Sequence, residues 1–456
     1  MLTSFLLPIF ISVEEYGYWQ LFVMYAGYAG FFMLGFNDGV HLNYATFNYD
    51  ESLAAKFRAF KLFLFVLTAI ESAALLVLLF VLLSERDSVF YVFLFCILII
   101  IPQAINGLFT YMNQATMRFT QYAKGNIFDK VIFTFLMLLM ILLGVKNAKY
   151  YILAYVFSRY LTIGYHWYSS RLVFTTKRES LRSLIPEIRH NFAKGFPLMI
   201  ATVLHGSIIV GSRLLVQNQY GIEDFSEYSF SLHTFVVAAQ FIGAIATVFY
   251  PIMKRADSGI LQRMYDSFGR VSTFVSAFLL LSYFAVVIVV KIVYSKYSGI
   301  LDYLFWVYPL FIFTCKANIL ITNFYKVKSR PITLILTNSI AILLHMAFAL
   351  TAQYIFGTIE AISCSVLLSY SLWYYLCQVF IYRKEHWRIN GSMFYDIILV
   401  ICFVTIASVS YEFISNTYIS AAIGFFLFLL VCSVVYLLFR KSINATLSEF
   451  KLLLKD

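Results

Sequence analysis

Long apolar runs separated by short polar segments make up most of this chain. Fourteen runs can be marked, near residues 2–12, 18–40, 62–83, 89–110, 127–145, 150–170, 195–216, 228–251, 271–294, 303–325, 332–353, 361–382, 393–411 and 418–439. All but the first are long enough to cross the ~30 Å hydrocarbon core of a bilayer as a helix. The connections are short, so consecutive helices should run antiparallel. The pattern predicts an all-α polytopic membrane protein with about 14 transmembrane helices.

The first run is shorter than the others. As a helix, residues 2–12 rise about 18 Å, which is less than the thickness of the hydrocarbon core. The sequence leaves open whether this helix is truncated, begins upstream, or lies against a thinned region of bilayer.

The composition supports the same class of protein. Of the 456 residues, 61% are hydrophobic and 12% are charged, whereas soluble globular chains carry about 25% charged residues. A water-soluble fold cannot hide that much apolar surface, because its own exterior must stay wet. The six cysteines fall inside apolar runs and form no CxxC pair or Cys/His cluster, so we expect packing residues and no metal site.

The number of Lys and Arg residues alternates between high and low from one connection to the next. Even-numbered connections and the tail hold 26 of the 34 Lys and Arg, odd-numbered connections hold four, and the acids divide ten and ten. The positive-inside rule counts Lys and Arg, so this bias predicts that both termini lie in the cytoplasm. It also explains the net charge of +11 through loops that face anionic lipids, and nucleic acid is not an expected partner.

One acidic-aromatic phrase occurs twice. VEEYGYW begins at Val13 and IEDFSEY begins at Ile222, after the first and the seventh predicted helix. Six helices separate the two phrases, and an even number keeps the two halves in the same orientation. This spacing predicts a parallel repeat about an axis along the membrane normal, as in two-lobed transporters.

The repeat predicts four segments: an N-lobe of six helices at 1–170, a linker at 171–194, a C-lobe of six helices at 195–382, and two further helices with a cytoplasmic tail at 383–456. In the linker, Leu181, Leu184, Ile185 and Ile188 recur at helical spacing, which predicts an interfacial amphipathic helix. Two lobes without an outer domain favour alternating access, with a ligand site between the lobes near the bilayer midplane.

Ionisable side chains inside the predicted spans are candidates for function. Each costs about 2.5–3.5 kcal/mol on insertion scales and therefore usually faces a cavity or a partner. The deep set is Glu71, Arg159, His205 and Lys316, and Arg213 lies nearer the outer end of its helix. Arg159 either lines a cavity or pairs with Glu71. Three cations against one acid favour an anionic ligand, which arginine can bind with two parallel hydrogen bonds.

Polar side chains inside the spans could line the same cavity: Gln103, Asn106, Gln240, Asn318 and Asn323. A hydrogen bond between helices, worth about 0.6–2 kcal/mol, is an equally good explanation for each of them. His205 and Glu71 are candidates for proton or ion coupling, and a histidine that only packs is the alternative.

Three stretches resemble a known family, the Wzx-type O-antigen flippases in the polysaccharide transporter branch of the MATE-related superfamily. The stretches are EEYGYWQLFVMYAGYAGFFMLGFNDGVHLNY from Glu14 to Tyr44, YMNQATMRFTQYAKGNIFDKVIF from Tyr111 to Phe133, and GSRLLVQNQYGIEDFSEY from Gly211 to Tyr228. The motif positions are Glu14, Glu15, Tyr16, Gly17, Asp38, Gly39, Gln114 and Arg118. Ser212 departs from the family, since an acid often precedes the arginine at this place.

The resemblance implies a specific cargo and location. The cargo would be an undecaprenyl-diphosphate-linked oligosaccharide, flipped from the cytoplasmic to the periplasmic leaflet of a bacterial inner membrane. Arg159, Arg213 and Lys316 would line the cavity, with no cofactor beyond coupled Na⁺ or H⁺. Bilayer lipids and polysaccharide assembly proteins would be its partners.

Two other classes of protein remain open. A drug and toxin efflux pump of the MATE type often carries cations, which favours acids in the cavity. A membrane-embedded polymerase or acyltransferase needs a catalytic surface, yet the longest outer connection, QNQYGIEDFSE, has eleven residues and no Arg or His. The sequence therefore favours a transporter over an enzyme.

Overall fold

The computed structural model describes residues 2–45, 47–83, 85–234, 253, 258–328, 331–388 and 394–453. Its first helices are α1 Leu2–Phe10, α2 Val13–Ala26, α3 Phe36–Asn43, α4 Glu51–Leu82, α5 Ser88–Leu98, α6 Ile100–Ala115, α7 Phe119–Leu142, α8 Ala148–Ser169, α9 Arg171–Thr175, α10 Ile185–Tyr220 and α11 Ile222–Thr234. The later helices are α12 Ser258–Leu280, α13 Ser282–Val293, α14 Leu304–Val307, α15 Leu310–Lys316, α16 Asn323–Val327, α17 Pro331–Phe356, α18 Ile359–Lys384, α19 Tyr395–Phe413 and α20 Thr417–Leu453. Short 3₁₀ segments lie at Ala29–Met33 and Ser295–Asp302, and a π-helical segment lies at Ala317–Thr322.

The helices follow the apolar runs, which confirms an all-α membrane fold. Within the described residues, nine helices are long and apolar enough to cross a bilayer. Two bent pairs could each add one more, namely Val13–Met33 with Phe36–Asn43 and Ile185–Leu204 with Gly206–Tyr220. The count of fourteen stays a prediction.

The chain divides into two compact units, Met1–His205 and Gly206–Asp456. The predicted linker lies in the first unit, and the structure differs there from the sequence expectation. No separate interfacial helix forms: α9 ends at Thr175, and Ile185 already begins the long helix α10. Leu184 is buried, and Leu181 and Ile188 pack against the core that contains Phe57 of α4. Three of the four apolar residues therefore pack against protein, whereas Ile185 is 58% exposed.

The G-x-x-D-G stretch from Gly35 to Gly39 marks a bend and a close helix crossing in the first unit. The α2 and α3 segments meet at 61°, where Leu34 and Gly35 have φ of 47° and 77°. A Cβ atom built on Gly39 would lie 1.9 Å from the carbonyl oxygen of Asn191 on α10. One built on Gly195 would lie 1.9 Å from the carbonyl oxygen of Gly35. The two backbones touch because neither glycine has a side chain.

The phrase that occurs twice forms the start of a helix in each unit. Val13 begins α2 and Ile222 begins α11, and both first turns carry two acids. Acids in a first turn interact favourably with the helix dipole. The aromatics at the fourth position, Tyr16 and Phe225, are both 0% exposed. The shared pattern therefore combines helix capping with one buried ring, and the parallel repeat stays a prediction.

Candidate functional site

In the first unit, an ion pair joins the candidate membrane-spanning helix α7 to its neighbour α8. Arg159 of α8 places Nη1 3.1 Å from Oδ2 of Asp129 on α7, and the two side chains are 23% and 10% exposed. Nη2 donates a hydrogen bond of 2.6 Å to the hydroxyl of Tyr155, one turn earlier on α8. Of the two alternatives for Arg159, the pair with Glu71 is not formed, because Asp129 takes that place; the role in lining a cavity stays a prediction.

One edge of this guanidinium is buried and unpaired among the described residues. Nε of Arg159 is buried and has no hydrogen-bond partner within the described part of the chain. The amide of Asn106 on α6 holds the helix in place by donating to the carbonyl oxygen of Arg159 over 2.8 Å. An arginine fixed on Asp129 and Tyr155 can present its third donor to an anionic ligand.

In the second unit, a more deeply buried pair joins α15 to α19. Nζ of Lys316 lies 2.5 Å from Oδ2 of Asp396, and each side chain is 2% exposed. The ammonium also donates to the hydroxyl of Thr273 over 2.6 Å, and that hydroxyl donates to Oδ1 of Asp396 over 2.9 Å. Both carboxylate oxygens therefore accept hydrogen bonds, which offsets part of the cost of burying the charges.

A small polar cavity of about 30 Å³ adjoins this pair. Its lining includes Asp266, Arg270, Tyr374 and Tyr382 beside Lys316 and Asp396, and the hydroxyl of Tyr382 donates to Asp266. The volume has room for about two water molecules. The cavity can therefore hold water or a small ion, and it is far too small for an oligosaccharide.

Arg213 contacts a hydroxyl group and an aromatic ring in the same unit. It is 9% exposed, and its Nε donates to the hydroxyl of Ser229 on α11 over 3.1 Å. The guanidinium lies 5.1 Å from the centre of the Phe225 ring. These contacts join α10 to α11 near the repeated phrase, so Arg213 has a packing role whether or not it also binds a ligand.

The charge balance taken from the sequence needs correction. The sequence count had three deep cations against Glu71 alone, but the structure adds Asp129 and Asp396, each paired with one of those cations. Asp129 was overlooked because its helix begins at Phe119, eight residues before the predicted span. Asp396 was overlooked because it lies in the first turn of α19, where a charge is normally near water.

The other predicted site residues are dispersed or outside the described part. Glu71 is half-buried on α4, and its Oε2 has no hydrogen-bond partner among the described residues. Gln103 is half-buried one turn before Asn106. The side chains of His205, Gln240 and Asn318 lie outside the described residues.

The motif residues at the start of α2 have structural roles in the first unit. Glu15 accepts a hydrogen bond of 2.5 Å from the backbone N–H of Ala148 and thereby caps α8. Tyr16 is buried and donates to the carbonyl oxygen of Ser4 over 3.2 Å. Glu14 accepts from the hydroxyl of Tyr18 over 3.4 Å, and Gly17 is buried within α2.

The remaining motif residues lie toward the other end of the first unit. Asp38 accepts from the hydroxyl of Tyr111 over 3.3 Å. Arg118 donates to the carbonyl oxygen of Ser169 over 2.9 Å and lies 3.9 Å from the centre of the Tyr49 ring. Gln114 is half-buried near the end of α6. Among the described residues, no group of three or more His, Cys, Asp or Glu could hold a metal ion.

Glu227 gives the second phrase a pH-dependent stability. Burial, followed by the carboxylates of Asp224, Asp302 and Glu223, raises the pKa of Glu227 from 4.5 to about 7. A raised carboxyl pKa means that the folded state holds the proton more tightly, so stability is greatest at low pH and falls as pH rises from about 4.5 to 7. After discounting for solvent screening, we expect the loss to be about 1–2 kcal/mol.

Glu227→Gln should therefore raise the thermal unfolding temperature at pH 8 and leave it nearly unchanged at pH 4.5. Glu412→Gln, at an exposed position near the end of α19, is the control and should change neither. Equal unfolding temperatures for Glu227→Gln and the unmodified chain at pH 8 would contradict the assignment. The measurement is thermal unfolding of the purified protein in detergent at the two pH values.

The comparisons with known proteins concern the fold. No protein family model and no curated protein matches the chain. The lipid II flippase MurJ in an inward closed conformation is similar over 95% of this chain and 97% of its own length, with a TM-score of 0.63 and 12% identity. An inward-facing multidrug resistance MATE family transporter is similar over 85% of this chain and 95% of its own, with a TM-score of 0.62 and 11% identity.

A transporter of the MOP superfamily from Pyrococcus furiosus is similar over 88% of this chain and 95% of its own length, with a TM-score of 0.52 and 11% identity. At such identities the likeness concerns the fold alone. The fold agrees with the one that the resemblance seen from sequence implies, whereas membership of the O-antigen branch stays a prediction. The chain has the fold of the MOP superfamily transporters.

Proposed function

We propose that the chain is a transporter that moves an undecaprenyl-diphosphate-linked oligosaccharide from the cytoplasmic to the periplasmic leaflet of a bacterial inner membrane. It works by alternating access, without covalent chemistry, and both of its termini lie in the cytoplasm. Polysaccharide assembly proteins are its functional partners. The cargo is anionic through its diphosphate and carries neutral or acidic sugars.

The extent of the structural likeness carries this proposal. The lipid II flippase matches 95% of this chain, whereas the multidrug transporter matches 85%. The extra length favours a flippase architecture over a drug pump. A lipid-linked cargo also suits a chain with 61% hydrophobic residues and no connection large enough for a catalytic domain.

Arg159 is the side chain that we assign to the diphosphate. Its Nη1 and Nη2 are held by Asp129 and Tyr155, and its Nε is buried without a protein acceptor in the described residues. A phosphate oxygen can take that donor, and the planar guanidinium is well suited to phosphate oxygens. Asp129 keeps the guanidinium in position in the absence of cargo.

Arg159→Ala should lower export of surface polysaccharide at least about tenfold, because the charge and the hydrogen-bond donors are both lost. Arg159→Lys should give an intermediate level, since it keeps the charge but loses the planar fork. Export is measured by polysaccharide at the cell surface, normalised to the amount of transporter in the membrane. Arg171→Ala, at an exposed arginine of the same unit, is the matched control and should export normally.

A double variant separates binding from packing. Arg159→Ala leaves Asp129 without its cation, which by itself could disturb α7. In Arg159→Ala with Asp129→Asn that charge is also gone, so a purely structural defect should be repaired while a cargo-binding defect should persist. Full export by the double variant, or by Arg159→Ala alone, would contradict the assignment of Arg159 to the diphosphate.

For ion coupling, we favour H⁺ over Na⁺, because the surroundings of Asp396 do not suit a sodium ion. A sodium site needs several oxygen ligands, yet both oxygens of Asp396 are already held by Lys316 and Thr273. The adjoining polar cavity has room for about two water molecules, and water can pass on a proton. Export that persists after collapse of the pH gradient but stops without Na⁺ would contradict this assignment.

A MATE-type efflux pump is the second candidate function. Asp129 and Asp396 inside spanning helices favour it, because acids at depth suit a cationic drug or a coupled cation. Such a pump should raise the inhibitory concentration of cationic drugs when overproduced and should leave surface polysaccharide unchanged. The flippase should give the opposite pair of results.

A further inference from the structure

A basic cavity opens at the end of the first unit where Lys and Arg predominate. It has a volume of about 490 Å³ and is lined by Arg58, Lys61 and Leu62 of α4 together with Lys177 and Arg178, which follow α9. None of these described lining residues is acidic. Four like charges around one space repel one another, and a bound anion would relieve that repulsion.

The cations are held in place from two sides. The guanidinium of Arg58 donates to the carbonyl oxygen of Thr176 over 2.5 Å, which ties α4 to the segment that carries Lys177 and Arg178. The ammonium of Lys61 lies 3.7 Å from the centre of the Phe174 ring. Arg58, Lys61 and Leu62 share one face of α4, being three and four residues apart.

The carboxylate of Glu187, on the neighbouring helix α10, is engaged outside the cavity. Glu187 bonds Lys56 at 2.7 Å and accepts from the hydroxyl of Tyr44. Lys56 is two residues before Arg58 and therefore lies on a different face of α4. The cavity thus keeps four positive charges without a carboxylate in its lining, although acids occur nearby in the sequence.

The position of the cavity selects the source of the anion. Leu62 begins the apolar run of α4, so the cavity lies where the helix enters the hydrocarbon. On the next turns, Phe65, Val66 and Ile70 are 48%, 47% and 65% exposed. An anion in the cavity would therefore have an exposed apolar helix face directly beside it. Lipid chains can pack on that face, whereas a soluble ion gains no contact from it.

We propose that this cavity binds the phosphate group of an anionic lipid at the basic side of the membrane. Arg58 and Lys61 contact the phosphate from α4, Lys177 and Arg178 close over it, and the lipid chains lie along Phe65 and Val66. The same phosphate chemistry is present in the glycerophospholipids of the leaflet and in prenyl diphosphates. The proposal does not depend on transport of any cargo.

The test uses the full-length protein in a neutral detergent and measures lipid binding by native mass spectrometry. Phosphatidylglycerol and farnesyl diphosphate are the two lipid probes, phosphatidylcholine is the neutral comparison, and inorganic diphosphate is the soluble anion. We expect both anionic lipids, or either one, to bind more tightly than phosphatidylcholine. A preference for phosphatidylglycerol identifies a leaflet lipid as the ligand, and a preference for farnesyl diphosphate identifies a prenyl diphosphate.

Lys177→Gln with Arg178→Gln should weaken binding of the anionic lipid about tenfold. Each Lys or Arg near the membrane surface adds a modest share of the attraction to an anionic headgroup, and this variant removes two of them. Both side chains are exposed, so the fold should be unaffected. Arg182→Gln with Arg189→Gln removes two exposed cations from the same connection outside the cavity, and it should change binding less than twofold. Lys61→Gln tests the opposite wall of the cavity independently.

Three results would overturn the proposal. Equal weakening by the two double variants would mean that only general surface charge attracts lipid. Binding of phosphatidylcholine as tight as that of the anionic lipids would remove the role of charge. Tight binding of inorganic diphosphate with no binding of either anionic lipid would make this a site for a soluble ion.

Discussion

Replacing Gly39 or Gly195 with alanine is expected to prevent the first unit from packing as described. The added Cβ would lie 1.9 Å from the carbonyl oxygen of Asn191 in the first case and of Gly35 in the second. Backbone atoms cannot move aside as a flexible side chain can, so α3 and α10 would have to separate. Overpacking commonly costs about 1–3 kcal/mol, and a clash with backbone should reach or exceed about 3 kcal/mol.

The separation would also break contacts that flank the crossing. The side-chain amide of Asn43 donates to that of Asn191 over 2.6 Å, and the rings of Phe36 and Phe192 lie 5.3 Å apart. Gly164→Ala is the matched control, because nothing lies within 4 Å of a Cβ at that position of α8. We expect Gly164→Ala to extract as a single species with an unchanged unfolding temperature, and Gly39→Ala or Gly195→Ala to aggregate. A monodisperse, fully stable Gly195→Ala would show that the two helices do not touch.

Lys316→Met is expected to destabilise the second unit by about 3–5 kcal/mol, because it leaves the carboxylate of Asp396 buried without its cation. Asp396 is 1% exposed, and the adjoining cavity of about 30 Å³ is too small for a full water shell to replace the lost charge partner. Lys316→Met with Asp396→Leu removes both charges and should regain most of the stability. The measurement is thermal unfolding in detergent, followed for all variants at one pH.

A second lysine of the same unit provides the comparison. Lys328 pairs with Glu385 at 2.8 Å, but the two side chains are 26% and 13% exposed. Lys328→Met should therefore cost less than about 1 kcal/mol. Two results would contradict this expectation: a loss of stability in Lys316→Met as small as that in Lys328→Met, or a double variant no more stable than Lys316→Met. Either would mean that burial of the Lys316–Asp396 pair does not determine the free energy lost when its lysine is removed.

The sequence predicted where the helices lie because apolar runs are bounded by polar punctuation. The run at 332–353 corresponds to α17 at Pro331–Phe356, and the run at 361–382 corresponds to α18 at Ile359–Lys384. The bend after α2 was not predicted, since Gly35 in GFNDG can serve equally as a turn or as a place of close packing. Only the position of Gly195, more than 150 residues away, decides between them.

The candidate site was predicted in part. Arg159 and Lys316 were found because a charge within an apolar run is conspicuous. Their partners were missed because the predicted spans began at 127 and 393, so Asp129 and Asp396 seemed to lie at membrane edges. The first turns of α7, before Asp129, contain Thr120, Gln121 and Lys124, which look like a loop by hydropathy. Pairing between helices cannot be read from one sequence, because it depends on which faces meet.

The π-helical segment at Ala317–Thr322 directly follows Lys316, within the span Leu304–Tyr325. A π-turn holds one more residue than an α-turn, and one inserted residue rotates everything after it by about 100° around the axis. Side chains after this segment therefore face a different side of the helix from the one that an uninterrupted α-helix would give them. A cysteine-accessibility scan of this span must therefore use one helical phase for the residues before Ala317 and another for the residues after Thr322. A single phase would assign the positions on one side of the segment to the wrong face of the helix.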